Sequence, residues 1–321
     1  MLCMELKRNL LGQTDIEVTE LCFGTLPMGP LQKGLNLAEG AALIAHALRS
    51  GIGFLDTAQA YRTYPPIQEA IRATDLRPIV ATKSSASTYE EMKVAVEEAL
   101  TELALRHIDI FHLHAARAGT EVFQERAGAL KCLHDYKKRG IIRAVGIATH
   151  DAQVTLAAAG RDDIDVVFPL FNRAGKVILN GTVTEMAEAI RRCHEAGKGV
   201  YLMKVLAGGT LLDSYQENLA FIRREVPYHA IAIGMVHPRE VDYNVGYFTG
   251  RTDLGPPPSV LDGVKQVQVV AVLCRGCGSC LVACHSEAII LDGGKARVDA
   301  EQCIKCGYCT AACPQFAIRV I

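Results

Sequence analysis

With 321 residues, 50% of them apolar, the chain can build one large core and a second, small unit. A formal net charge of −1 leaves no basic footprint, which excludes nucleic acid and anionic membrane surfaces from the expected partners. Met1 to Leu11 carries Glu5, Lys7 and Arg8 without a hydrophobic signal region, and no later run is long enough to span a bilayer, so the sequence predicts a cytoplasmic protein.

In chain order, Leu6–Val18 reads as a hairpin turning near Gly12. From there to about residue 249, short apolar strands alternate with stretches of helical periodicity. The predicted strands are Leu21–Thr25, Gly53–Thr57, Ile79–Lys83, Ile108–His114, Ala144–Thr149, Val166–Phe171, Val200–Val205 and Ala230–Gly234. Ala38–Ser50, Tyr89–Leu105, Glu121–Lys138 and Thr182–Ala196 are predicted helices, with glycine stops at Gly51, Gly140 and Gly197. Eight repeats of this unit predict an α/β fold closed as a (β/α)8 TIM barrel; a doubly wound open sheet is the alternative, but no glycine-rich fingerprint follows the first strand. Cys3, Cys22, Cys132 and Cys193, scattered through this region, read as small buried hydrophobes and carry no expected function.

A barrel keeps its chemistry at the C-terminal ends of its strands. There the sequence places Asp56, with Tyr61 just beyond, then Lys83 and His114. An ammonium beside a phenol is expected to lower the phenol's pKa from about 10, preparing it to exchange a proton with a carbonyl oxygen, while the aspartate orients the lysine. Singly, each has a plainer reading as a turn cap, a packing ring or a satisfied rim residue. Together, Gly53-Phe-Leu-Asp56-Thr-Ala-Gln-Ala-Tyr61, Ala81-Thr-Lys83 and Ile108-Asp-Ile-Phe-His-Leu-His114 are similar to the aldo-keto reductase family, a likeness that runs over roughly residues 5 to 250. It implies that Tyr61 is the acid–base group, assisted by Asp56, Lys83 and His114, with His112 as a second candidate for the histidine role. The substrate it implies is a small carbonyl compound or alcohol.

The same resemblance implies NAD(H) or NADP(H) across the barrel mouth, near Asn172, Lys204, Gly208, Gly209, Gly234, Glu240 and Asn244. Several of the family's positions are changed: Ala148 and Thr149 replace Ser and Asn, Phe168 replaces glutamine, and Met203 replaces a stacking tyrosine. Glu240 would repel a 2′-phosphate and could accept from a ribose hydroxyl. Phe168, Met203 and Met235 give the expected rim an apolar lean.

Gly255-Pro-Pro-Pro258-Ser259 is a stiff spacer, which divides the chain into a barrel over 1–250, a linker over 251–265 and a terminal unit over 266–321. That unit holds Cys274-x2-Cys277-x2-Cys280-x3-Cys284 and, 29 residues on, Cys303-x2-Cys306-x2-Cys309-x3-Cys313-Pro314. The spacing suits thiolates turning around iron–sulfur cubanes, with structural zinc or disulfides as alternatives. Gly278 and Gly307, Ala283 and Ala312, and Ala288 and Ala317 extend the repeat, and the unit resembles the bacterial two-cluster ferredoxin. The resemblance implies one [4Fe–4S] cluster on Cys274, Cys277, Cys280 and Cys313 and a second on Cys303, Cys306, Cys309 and Cys284. His285 stands where the first run would carry proline.

The first expectation is therefore an oxidoreductase interconverting a carbonyl and an alcohol through Tyr61, with clusters that exchange electrons with a ferredoxin-like or flavin-containing partner. A nicotinamide-free reductase fed single electrons by the clusters is the second, and a non-catalytic electron-transfer subunit the third. Purely structural clusters beside ordinary hydride chemistry complete the set. The terminal unit is expected to lean over the barrel mouth; the alternative is that it hangs outside as a docking point.

Overall fold

The structure, a computed structural model, describes residues 5–258, 266–315 and 317–320; Cys3 and the linker from Ser259 to residue 265 lie outside the described residues. The first hairpin pairs β1 (Arg8–Leu10) antiparallel with β2 (Glu17–Thr19). There follow β3 (Leu21–Gly24), β4 (Phe54–Asp56), β5 (Ile79–Ser84), β6 (Ile108–Ala115), β7 (Ile142–Thr149), β8 (Val166–Pro169), β9 (Gly199–Leu202) and β10 (Ala230–Gly234). These close into a barrel in the order β10-β3-β4-β5-β6-β7-β8-β9. The barrel is a (β/α)8 fold, as the strand pattern predicted.

Helices pack outside. Leu37–Arg49, Tyr89–Leu103 and Val183–Glu195 each start with a capping box, in which the N-cap side chain and the N3 glutamate satisfy one another's backbone N–H groups. The predicted helix over Glu121–Lys138 is interrupted: Val122–Glu125 stops at Arg126, whose guanidinium donates to the His114 carbonyl at 3.0 Å, and Ala127–Lys138 begins anew. Strands β8 and β9 end sooner than predicted, at Pro169 and Leu202, and only the bridge between Leu170 and Met203 continues the pairing. Proline has no N–H for the ladder.

The main core lies between barrel and helices, and a second cluster fills the barrel itself. Leu11, Ile16 and Val18 of the hairpin enter that inner cluster with Phe54, Ile110, Val166 and Tyr201. The hairpin thus plugs the end of the barrel opposite the mouth. In the terminal unit, β11 (Val267–Val269) pairs with β14 (Ile318–Val320), and β12 (Ile289–Asp292) with β13 (Lys295–Val298), all antiparallel. Among the described residues, no helix is long and apolar enough to cross a membrane.

The terminal unit rests on the barrel mouth. Arg117, after β6, donates to the carbonyls of Val282 and Cys284 at 3.1 and 2.8 Å and pairs with Glu287. Lys176, after β8, donates to the Glu301 carbonyl at 2.9 Å, and Gln32, after β3, to that of Cys306 at 3.1 Å. Two left-handed glycines allow close approach: a Cβ on Gly307 would lie 1.9 Å from the Leu31 oxygen, and one on Gly208 would lie 1.9 Å from the Ile304 oxygen.

Candidate active site

Asp56 ends β4, and the chain then makes a 3-10 turn, Gln59–Tyr61, that turns Tyr61 back over the mouth. Lys83 lies on β5 and is almost completely buried. Its Nζ donates to both Asp56 oxygens at 2.9 and 2.7 Å and to the Thr57 carbonyl at 2.7 Å. Burial raises the Asp56 carboxyl and lowers the Lys83 ammonium, each against the pull of the other. The three hydrogen bonds favour the ionised pair.

Lys83 Nζ also sits 4.9 Å from the centre of the Tyr61 ring. The expected lowering of the phenol's pKa does not follow. Burial raises Tyr61 well above its ordinary value, and Tyr308, Asp56 and Cys306 push the same way. The physical reason is that burial penalises the phenolate more than the nearby ammonium favours it. Tyr61 is therefore a group that keeps its proton.

His112 and His114 share the inward face of β6 at different heights. His112 is fully buried, and its Nε2 meets the Tyr201 hydroxyl at 2.7 Å; Tyr201 in turn donates to Asp56 at 3.0 Å. His114, nearer the mouth, stands edge-on to Tyr61 at 6.2 Å between ring centres. Burial keeps both imidazoles well below their ordinary pKa, so both are neutral. A cavity of 220 Å³ opens beside the tetrad, lined by Gln59, Arg62, Lys83, Ser84, Glu98 and His114 among others. The residues expected to give the rim an apolar lean do not line it: Phe168 stacks on Tyr201 at 3.8 Å inside the barrel, and Met235 is buried in the core.

The terminal unit adds residues to this site that the sequence reading left without a role. Tyr308 lies with its hydroxyl 3.3 Å from that of Tyr61 and packs beside Leu31 and Ala58. His285 stacks on Tyr308 at 4.4 Å and meets His150 at 5.6 Å. A signal was present in the repeat, since Tyr308 takes the place of Ser279 and His285 that of Pro314. Tyr201 had no such signal: within an apolar strand it reads as core filler.

The cysteines gather as two groups. Cys274, Cys277, Cys280 and Cys313 line one cavity. The thiols of Cys303 and Cys309 each feel Cys306 and Cys284. Backbone N–H groups of Ala296, Ala288 and Ala317 donate to the sulfurs of Cys274, Cys284 and Cys313 at 3.4, 3.3 and 3.2 Å. Hydrogen bonds from Ala296 and Gly276 hold the Cys274 thiol below its ordinary value. These sites fit thiolate ligands of iron–sulfur clusters.

Residues 20–244 match the profile of the Aldo/keto reductase family, and residues 266–314 match a 4Fe-4S dicluster domain. The chain belongs to the aldo/keto reductase family. It is 24% identical over 186 residues to the oxidoreductase YqkF of Bacillus subtilis, covering 52% of this chain and 58% of that one. Against L-galactose dehydrogenase of Arabidopsis thaliana it is 27% identical over 157 residues, covering 44% and 48%. The chain thus spans about half the length of these curated relatives. An aldo-keto reductase structure from Pseudomonas aeruginosa superposes with a TM-score of 0.64 at 22% identity, covering 76% of this chain and 95% of that one. The chain thus joins an aldo/keto reductase barrel to a 4Fe-4S dicluster domain.

The positions where an aldo/keto reductase is expected to hold nicotinamide nucleotide are engaged within the chain. The Asn172 amide donates to the Lys176 carbonyl and accepts from its N–H, both at 3.0 Å. Gly208 faces Ile304, with Gly209 next in the same 3-10 turn, and Gly234 packs against Pro27. Glu240 accepts from the N–H groups of Val236 and His237 at 2.6 and 3.2 Å, capping the helix Pro238–Phe248. Asn244 bonds Tyr215 and the Glu240 carbonyl. Lys204 differs from them, since its Nζ has no hydrogen-bond partner among the described residues.

Proposed function

We propose that the chain reduces a small, hydrophilic carbonyl compound with single electrons in place of hydride, Tyr61 supplying the proton. The observation that carries this reading is the 3.3 Å approach of Tyr308 to Tyr61, which sets the iron–sulfur unit directly against the proposed proton donor. Bound clusters would supply one electron at a time, ultimately from an external one-electron donor such as a ferredoxin-like or flavin-containing protein.

The overall balance is one carbonyl, two electrons and two protons to one alcohol. Tyr61 keeps its proton at neutral pH and gives it to the carbonyl oxygen; the second proton, which ends on carbon, enters from solvent through the cavity. The neutral His114 donates a hydrogen bond to the same oxygen, and Tyr308 fixes the Tyr61 hydroxyl. Gln59, Ser84 and Glu98 offer partners for substrate hydroxyls. Single-electron chemistry narrows the substrate to carbonyls conjugated with a second electron-withdrawing group, such as dicarbonyls, which delocalise the first added charge.

The test reduces the cluster-loaded protein anaerobically, adds small dicarbonyls and follows return of the oxidised cluster absorbance. Tyr61→Phe is expected to slow this by about 10²- to 10⁴-fold, the range for a lost general acid. Equal rates in Tyr61→Phe would sink the proposal. Reduction of the same compounds by NADH or NADPH, without any change in cluster absorbance, would return the chemistry to hydride transfer.

A further inference from the structure

Lys204 follows β9 with a left-handed backbone, φ 55°, which lysine seldom adopts. Its Nζ is sealed from solvent in the seam between the barrel mouth and the iron–sulfur unit, and it has no hydrogen-bond partner among the described residues. The loop it begins presses on the cluster-ligand segment, where Gly208 meets the carbonyl of Ile304, the residue after Cys303. The other groups facing it are Lys83, which is cationic, and His114, His150 and His285, which are neutral. The groups of opposite sign that act on it are the cysteines Cys306 and Cys284.

A sealed ammonium needs an anion. We propose that Lys204 is the buried counter-charge of a cluster held by Cys284, Cys303, Cys306 and Cys309, and that it sets this cluster's reduction potential above that of the other. The proposal rests on the cluster reading given above and not on the carbonyl chemistry. Reduction adds one electron to a group that is already anionic. A fixed positive charge nearby, in a medium of low dielectric, favours the reduced form.

The other site lacks an equivalent. There Lys295 donates to the Cys274 carbonyl at 2.6 Å, but Lys295 is solvent-exposed, so water and salt screen it. Cys277 of that site is exposed as well, whereas Cys306 lies close enough to Tyr61 to act on its phenol. An electron from an external one-electron reductant thus enters at the outer site and moves downhill to the inner one beside Tyr61.

Potentiometric titration of the full-length, cluster-loaded protein, followed by electron paramagnetic resonance, tests this directly. Lys204→Met is expected to lower the potential of one cluster and leave the other in place. The oxidised-to-reduced ratio at fixed potential then changes about tenfold, about 59 mV for a one-electron couple. Lys204→Arg keeps the charge and stays near the wild type. Lys176→Met, which removes a solvent-facing ammonium from the same seam, gives a smaller shift. If Lys204→Met loses iron, Lys204→Gln carries the same expectation.

Two unchanged potentials in an iron-replete Lys204→Met or Lys204→Gln protein overturn the proposal, as does an equal shift of both clusters. A wild type that holds a single cluster overturns it together with the cluster reading. The expected shift in a protein that reduces no carbonyl leaves it standing and overturns only the reaction proposed above.

Discussion

At the scale of single residues, the barrel interior carries a polar layer that is closed by one hydroxyl. Tyr201 bridges Asp56 and His112, and the Lys83 bonds complete the layer from the other side. Tyr201→Phe leaves a buried carboxylate oxygen and a buried imidazole nitrogen each short of a partner, and about 1–3 kcal/mol of stability is expected to be lost in urea unfolding. A loss well under 1 kcal/mol would mean that water replaces the hydroxyl. Lys83→Met is a poorer probe of chemistry, since stranding Asp56 costs roughly 3–5 kcal/mol. Asp56, Tyr61, Lys83 and His114 were legible in the sequence because polar groups at strand ends stand out against apolar runs. Tyr201 was not, because a tyrosine is as good a filler of an inner strand as it is a donor. The direction of the Tyr61 shift was misread for a related reason: proximity to Lys83 can be inferred from strand order, but the depth at which the terminal unit buries the phenol cannot.

At the scale of elements, the strand and helix alternation was readable almost throughout, since each unit buries one apolar face. What escaped was set by tertiary contacts, such as the break at Arg126, which serves the His114 carbonyl. The barrel plug gives a pH-dependent test. His229 accepts from the Gly12 N–H through Nε2 at 3.1 Å, and its Nδ1 lies 3.0 Å from the Val200 amide nitrogen and 3.1 Å from the Val200 carbonyl, so the ring is held by backbone groups on both sides. Burial lowers its pKa below the ordinary value. Below pH of about 6.5 the unfolded chain takes up a proton that the native chain refuses, so stability falls with pH until the native value is passed. His229→Gln, which keeps an acceptor without a titrating group, is expected to reduce that slope by up to about one proton; an unchanged slope would assign it to the other buried histidines. The Gly208 turn gives a second test. Gly208→Val sets a side chain against the Ile304 carbonyl at positive φ, so the two units are expected to separate, with a larger radius of gyration in X-ray scattering and unchanged iron content.

At the scale of the whole molecule, the iron–sulfur unit acts as the lid of the barrel. The expectation that it leans over the mouth agrees with the contacts of Arg117, Lys176 and Gln32. Sequence could not name the contacts, because docking depends on how loops distant in the chain match in shape and charge. Two of the departures from the internal repeat, His285 and Tyr308, stack on one another and face the barrel. The duplicated halves have therefore stopped being interchangeable. A copy of the first half set in place of the second would bring serine to the position of Tyr308, and the reverse exchange would bring proline to that of His285. Either hybrid would keep every cysteine, but the first would take the phenol from beside Tyr61 and the second would take the ring that stacks on Tyr308. The halves are alike in their cysteines and differ in the face they turn to the barrel.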